Sequence, residues 1–292
     1  MSIKICPTGQ ELGAEIRNID LRNELDPITL NGIRKAWREH LVLLIRNQEI
    51  SNADLVRFSE YFGELRASPL GEARMRGRSR SPEGFHQVAI ISNVTKDGLP
   101  IGSLGNGEAI WHTDMSYMET PIKAAILYAL EVPSSGGNTG FANMYLAYDS
   151  LPNDLRSRLE DQVCIHDHSL NSAGFLRRGY EEVTDVTKTP GAKHPLFRTH
   201  PETGRQALFL GRRRNAYIPG LSVEQSEELL DAVWAHATQP QFTWHHKWKV
   251  GDLLMWDNRV VLHRRDSFDD KARRVMHRTQ IEGDKPFFNA NP

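Results

Sequence analysis

The chain has 292 residues, with 36 Lys and Arg against 37 Asp and Glu, so its formal net charge is −1. That length can bury a substantial core, and 39% hydrophobic with 25% charged residues excludes an intrinsically disordered chain. No apolar run reaches membrane-spanning length, and the balanced charge gives no general electrostatic reason to expect nucleic acid as a partner. Cys6 and Cys164 are too few for a disulfide framework, and the first residues lack the apolar core of a secretion signal. Both observations predict a cytoplasmic protein.

In chain order, Asp26-Pro27 opens a predicted helix running to about Glu39, with Ile28, Leu30, Ile33 and Trp37 at helical spacing. Leu41–Ile45 reads as a strand. Ser51-Asn52 caps a second helix, whose Leu55, Phe58, Tyr61 and Phe62 share one side and which Gly63 closes. Further strands are predicted over Val88–Ser92, Ala124–Leu130, Ala207–Leu210, Phe242–Trp244, Leu253–Trp256 and Val275–Ile281. Ser222 with Gln225 forms a capping box that leads a third helix through Leu229, Leu230, Val233 and Trp234. Strands this numerous, without regular helix alternation, argue against a doubly wound parallel sheet and for a β-sandwich or barrel with helices outside. Residues 66–86 and 171–193, rich in Gly, Pro and Arg, read as long surface loops of the kind that cover active sites. With neither internal repeat nor low-complexity linker, residues 1–292 read as a single domain.

The chemistry concentrates at Trp111-His112-Thr113-Asp114. On a strand, residues two apart leave the same face, so His112 and Asp114 offer one imidazole and one carboxylate to a metal. His263, in Leu262-His263-Arg264, offers the third leg. Two His and one carboxylate on one face of an octahedral ion, with three positions open, make the ligand set of non-haem Fe(II) oxygenases. Two other histidine groups are weaker candidates. His166-Asp167-His168 has no third partner of comparable context, and His245-His246 point to opposite faces of a strand.

The surrounding sequence resembles a known family. The motif at 111–114 is followed by Gly136-Gly137-Asn138-Thr139, His194-Pro195, and Arg198-Thr199-His200-Pro201-Glu202-Thr203-Gly204-Arg205. Trp256-Asp257-Asn258 then precedes His263, and Arg274-Val275-Met276-His277-Arg278 closes the series. In that order these look like the taurine dioxygenase family of Fe(II)/2-oxoglutarate-dependent dioxygenases, and Leu12–Ile16 with Ile19–Leu21 resembles its N-terminal strand.

The resemblance implies a double-stranded β-helix, or jelly roll, with Fe(II) held by His112, Asp114 and His263. It implies that Arg274 and Thr139 hold the distal carboxylate of 2-oxoglutarate, and that Arg278 faces an acidic group on the substrate. A guanidinium fork suits a carboxylate through two parallel charge-assisted hydrogen bonds. The expected reaction consumes O2 and 2-oxoglutarate, releases succinate and CO2, and hydroxylates a C–H bond. If that carbon bears a heteroatom, the product collapses and the C–heteroatom bond breaks. The family also implies a homo-oligomer, dimer or tetramer. Two departures from the taurine-type pattern, Arg212-Arg213-Arg214 after a strand and Glu108 before His112, point to Arg213 and Glu108 as further substrate-binding residues. They turn the expectation toward a more anionic or larger substrate than taurine. Three alternatives remain open: desaturation, epimerisation or cyclisation at the same iron; a silent jelly roll that only binds; and a hydrolytic zinc enzyme. The last would have no use for Thr139 and Arg274.

Overall fold

The computed structural model describes residues 2–67, 82–105, 109–171 and 173–290. Strands β1 (Lys4–Pro7), β2 (Ala14–Arg17) and β3 (Val42–Ile45) open the chain, with helix α1 (Pro27–His40) before β3 and α2 (Asn52–Glu60) after it. Next come β4 (Ala89–Ser92), the two-residue strands β5 (Thr95–Lys96), β6 (Leu99–Pro100) and β7 (Ser103–Leu104), then β8 (Ala109–His112) and β9 (Ala124–Glu131). β10 (Thr139–Asn143) leads into α3 (Met144–Asp149) and α4 (Asn153–Leu159). Short strands β11 (Val163–Ile165), β12 (Lys193–Pro195), β13 (Phe197–Thr199) and β14 (Gln206–Leu208) precede α5 (Val223–Ala237). β15 (Thr243–His246), β16 (Leu253–Asp257), β17 (Val261–Arg265) and β18 (Val275–Ile281) follow.

An eight-stranded sheet has the order β1-β2-β3-β16-β9-β18-β4-β7, and a four-stranded sheet the order β15-β10-β17-β8. Together they form the two layers of a jelly roll, as expected. Alternation along the central strands explains why those strands read as unbroken apolar runs. In β16, Leu254 and Trp256 point into the core between the sheets with Phe141 and Leu262. Leu253 and Met255 point the other way, onto Ile33, Trp37, Leu55 and Phe58 of α1 and α2. β3 and β9 divide their residues between the same two cores. A strand covered on both faces has no polar side, so its period of two is hidden in the sequence.

The helix starts agree with their predicted caps. Asp26 accepts hydrogen bonds from the backbone N–H groups of Ile28 and Thr29, and reciprocal capping boxes form at Ser51–Asp54 and Ser222–Gln225. Several boundaries differ. Leu41 takes a positive φ of 64° as the cap of α1, so the strand after it begins at Val42. The predicted strand over Ala207–Leu210 ends at Leu208, and that over Phe242–Trp244 is shifted to Thr243–His246. Of the two expected loops, residues 68–81 of the first lie outside the described residues. The second is not a plain loop, since it contains a turn of 3-10 helix at Val186–Lys188 and the start of β12.

A buried ionic cluster ties the end of β16 to the segment after β13. Arg259 donates from Nε to Asp257 Oδ1 at 2.8 Å, from Nη2 to Asp257 Oδ2 at 2.7 Å and from Nη1 to Glu202 at 2.8 Å. His200 Nε2 adds a contact of 3.1 Å to Asp257. Burial alone would raise the Asp257 carboxyl, but Arg259 and His200 overcome it and hold it below the usual carboxylate range. Removing one partner strands the other charge in the interior. Asp257→Ala is therefore expected to cost about 3–5 kcal/mol of stability in urea denaturation near neutral pH. Because the folded pKa is depressed, this contribution is present above the unfolded value of about 3.9 and is lost only as acid titrates the folded group. A loss below about 1 kcal/mol would show the cluster to be dispensable.

Candidate active site

The four-stranded sheet assembles the metal-ligand set by register. His112, at the end of β8, pairs across the strands with His263 of β17, and on the other side of β17 His263 pairs with Phe141 of β10. A bulge between His263 and Arg265 irregularises this edge of the sheet. Asp114 is not on a strand face, as the spacing predicted; it sits in the turn that follows β8. The turn still delivers its carboxylate. His112 Nε2 lies 3.5 Å from Asp114 Oδ1, and His263 Nε2 lies 3.8 Å from Asp114 Oδ2. One donor atom from each of the three residues falls within 4.8 Å of the others, the only such group among the described residues.

The turn is clamped from outside. Asn258 accepts from the Asp114 backbone N–H at 2.9 Å and returns a hydrogen bond to the Asp114 carbonyl at 2.9 Å, while also donating to Ile122 at 3.0 Å. Thr113 bonds to the carbonyls of Leu210 and Gly211 at 2.7 and 3.0 Å. Partners of this kind fix the orientation of ligands before any ion arrives.

The donor chemistry fits Fe(II). His112 Nδ1 lies 2.7 Å from the Ile110 carbonyl, which can only accept, so Nδ1 carries a hydrogen and Nε2 is the atom turned toward Asp114. Burial, with His112 and the nearby arginines, pushes His263 well below the ordinary histidine pKa against the pull of Asp114, which leaves a neutral imidazole able to coordinate. Burial works to raise Asp114, but the Arg278 guanidinium, 3.1 Å from Oδ2, leads the groups that outweigh it, and the carboxyl lies well below its usual range. Two imidazoles and one carboxylate are the donor set of a 2-His-1-carboxylate site.

Beside this triad a cavity is lined by His112, His263, Thr139, Trp256, Arg274 and Arg278 among others. Arg274 is 2% exposed and its Nε has no hydrogen-bond partner. Burial, with Arg265 nearby, lowers its pKa to about 9. A buried guanidinium of this kind is stabilised by an anion. Trp248 Nε1 donates to the Thr139 hydroxyl at 2.9 Å, leaving the hydroxyl hydrogen available to a carboxylate, and the Arg274 guanidinium lies 6.0 Å from the Trp248 ring. Trp248 carried no sequence signal of its own. Asn258 follows Trp256-Asp257 in sequence, but its clamp on Asp114 spans 144 positions of the chain.

Arg278 lines the same cavity as Arg274, and its Nη1 lies 3.1 Å from Asp114 Oδ2. Gln280, two residues on, donates to the same oxygen at 3.5 Å. Arg213 must be corrected. Its guanidinium is turned onto α5, with Nε 2.6 Å from Asp231 and Nη2 2.6 Å from Glu227, because that helix presents carboxylates one turn apart. Its neighbour Arg212 is the buried one, at 5% exposure. Glu108 lies outside the described residues. His166 and Asp167 are buried away from the triad's ligand set, whereas His246 pairs with Asp252 at 2.9 Å.

A family model described as taurine catabolism dioxygenase TauD, TfdA family matches residues 4–280. The alpha-ketoglutarate-dependent 2,4-dichlorophenoxyacetate dioxygenase of Cupriavidus pinatubonensis is 35% identical, over 95% of this chain and 97% of that protein. The pentalenolactone F synthase of Streptomyces arenae is 34% identical, over 95% of this chain and 94% of its own. Among solved structures, AAD-2 in complex with Mn(II) and N-oxalylglycine superposes with a TM-score of 0.77 at 31% identity, covering 99% of this chain and 100% of that one.

Proposed function

We propose, for a chain that belongs to the taurine catabolism dioxygenase TauD, TfdA family and is an Fe(II)/2-oxoglutarate-dependent dioxygenase, that it hydroxylates a C–H bond of a small anionic substrate. The carrying observation is that His112 and His263 of the triad line the cavity that also holds Arg274 and Thr139. Bound Fe(II) supplies the oxidising chemistry, using O2 and the decarboxylation of 2-oxoglutarate to succinate and CO2. The protein's residues supply placement. Arg274 and Thr139 hold the far carboxylate of the cosubstrate, while Ile91, Leu127 and Trp256 give the cavity an apolar wall. Arg278 holds the acidic group of the substrate and so aims one C–H bond at the metal. Where that carbon carries oxygen or sulfur, the hydroxylated product breaks the bond to the heteroatom.

The 2,4-dichlorophenoxyacetate relative supports a carboxylate substrate. The pentalenolactone F synthase relative favours a second reading, in which the same site desaturates, epimerises or cyclises a biosynthetic intermediate. No helix among the described residues is long and apolar enough to cross a membrane. Two free cysteines suit a reducing cytoplasm, and assembly into a homo-oligomer accords with the family resemblance.

A panel of sulfonates, sulfate esters, phenoxy acids and amino acids, read by succinate release with Fe(II) and ascorbate, tests the reading. On any acid that is turned over, Arg278→Ala should raise the substrate KM by about 10- to 150-fold, the loss of one charge-assisted contact. Succinate formed without hydroxylated product should increase, because the target carbon is no longer aimed. A neutral substrate, or an unchanged KM in the variant, would take from Arg278 the role of holding the substrate.

A further inference from the structure

The segment after β14 crosses directly behind the metal-ligand turn. Leu210 and Gly211 accept the hydrogen bonds of Thr113, and a Cβ on Gly211 would lie 2.8 Å from the Ser116 hydroxyl and 2.3 Å from His166 Nδ1. No side chain fits there, so the backbone of Gly211 is held against the turn that carries Asp114. The next residue is Arg212. It is 5% exposed, its Nε has no hydrogen-bond partner, and Nη1 reaches only the Leu170 carbonyl, at 3.4 Å. Its guanidinium lies 5.9 Å from the ring of Tyr117, at the other end of the same turn.

A second cation converges on that ring. Arg177, carried in by the segment over 171–193, lies 4.2 Å from the Tyr117 ring centroid and donates to its hydroxyl at 2.9 Å. His168 stacks on Tyr117 at 4.2 Å. The carboxylates in range are already engaged. Asp114 serves the metal triad and Arg278, while Asp167 accepts from Ser169 through one oxygen and from Asn215 through the other. Arg177 is partly buried and also donates from Nε to the Leu170 carbonyl at 3.1 Å, whereas Arg212, buried with one long contact to that same neutral carbonyl, is the cation that an anion arriving with a ligand would stabilise.

We infer that Arg212, supported by Arg177 and Tyr117, is a second anion-holding residue of the substrate site, so that the substrate is a dianion with one acidic group on Arg278 and another on Arg212. The inference rests on the proposed function and narrows its substrate class from acids in general to compounds with two acidic groups. It also relocates the role expected of the Arg212–Arg214 run, from Arg213 to the arginine beside the metal-ligand turn.

The test compares phenoxyacetate with its 2-, 3- and 4-carboxy derivatives, each titrated calorimetrically into enzyme loaded with Mn(II) and 2-oxoglutarate. At least one dicarboxylate should bind about 10- to 100-fold more tightly than phenoxyacetate, the worth of one charge-assisted contact. Arg212→Gln should collapse that ratio toward one, whereas Arg278→Gln should weaken all four ligands. The inference is overturned if no dicarboxylate binds more tightly than phenoxyacetate, or if Arg212→Gln keeps the preference. A separate titration of 2-oxoglutarate into the Mn(II) enzyme distinguishes the underlying failure. Without metal-dependent binding there, the proposed function itself falls, and the second subsite with it.

Discussion

His112→Ala and His263→Ala are each expected to reduce 2-oxoglutarate-dependent succinate formation to background. Each removes one of only two imidazoles in the donor set, and a carboxylate with a single imidazole does not hold a divalent ion in place against water. The surroundings make compensation improbable, since no fourth His, Asp, Glu or Cys joins the group among the described residues. The measurement separates metal loss from misfolding. Under argon, wild-type protein with Fe(II) and 2-oxoglutarate should show a weak visible charge-transfer band, and both variants should lack it while retaining the native far-ultraviolet circular dichroism. Normal turnover in both variants would remove the metal assignment. Normal turnover in one would leave that histidine as a wall of the cavity.

Arg274→Ala should raise the 2-oxoglutarate concentration needed for half-saturation by about 30- to 150-fold. The side chain is buried, its Nε is without a partner, and burial has already lowered its pKa to about 9. A carboxylate that meets this fork gains charge-assisted hydrogen bonds, and their loss is about 2–3 kcal/mol, at 1.4 kcal/mol per tenfold. Arg274→Lys should recover part of the affinity, because a point charge remains while the fork does not. Arg273 does not substitute for it. That guanidinium is exposed and forked onto Glu131 at 2.6 and 2.9 Å. An unchanged requirement in Arg274→Ala would move the cosubstrate's carboxylate to another arginine of the cavity.

Much of this molecule could be read before any coordinates. The caps of α1, α2 and α5 were legible because capping depends on residues within three positions of each other, and the apolar strands because the core demands them. His112, Asp114 and His263 were legible through motif order and the requirements of one ion, although His263 lies 149 positions after Asp114 (263 − 114). The N-terminal strand β1, the helices α3 and α4, and the strands β11 to β13 were too short to carry a period.

Tertiary structure decided the rest, for reasons that are long-range by nature. Arg212 and Arg213 are chemically identical neighbours, and local sequence cannot say which one is buried. Glu227 and Asp231 on α5 draw one outward, while the close approach of Gly211 to Ser116 and His166 holds the other beside the metal-ligand turn. Asp114 reaches its ligand position from a turn instead of a strand face, because Asn258, far along the chain, grips its backbone on both sides. Trp248 acquires its role only where β10 and β15 pair and bring the segment after β15 against Thr139. Residue types and their order thus determined which chemistry this chain can support. Which particular side chains face that chemistry depends on hydrogen bonds and ion pairs between segments remote in sequence, whose energies exist only once the chain has folded.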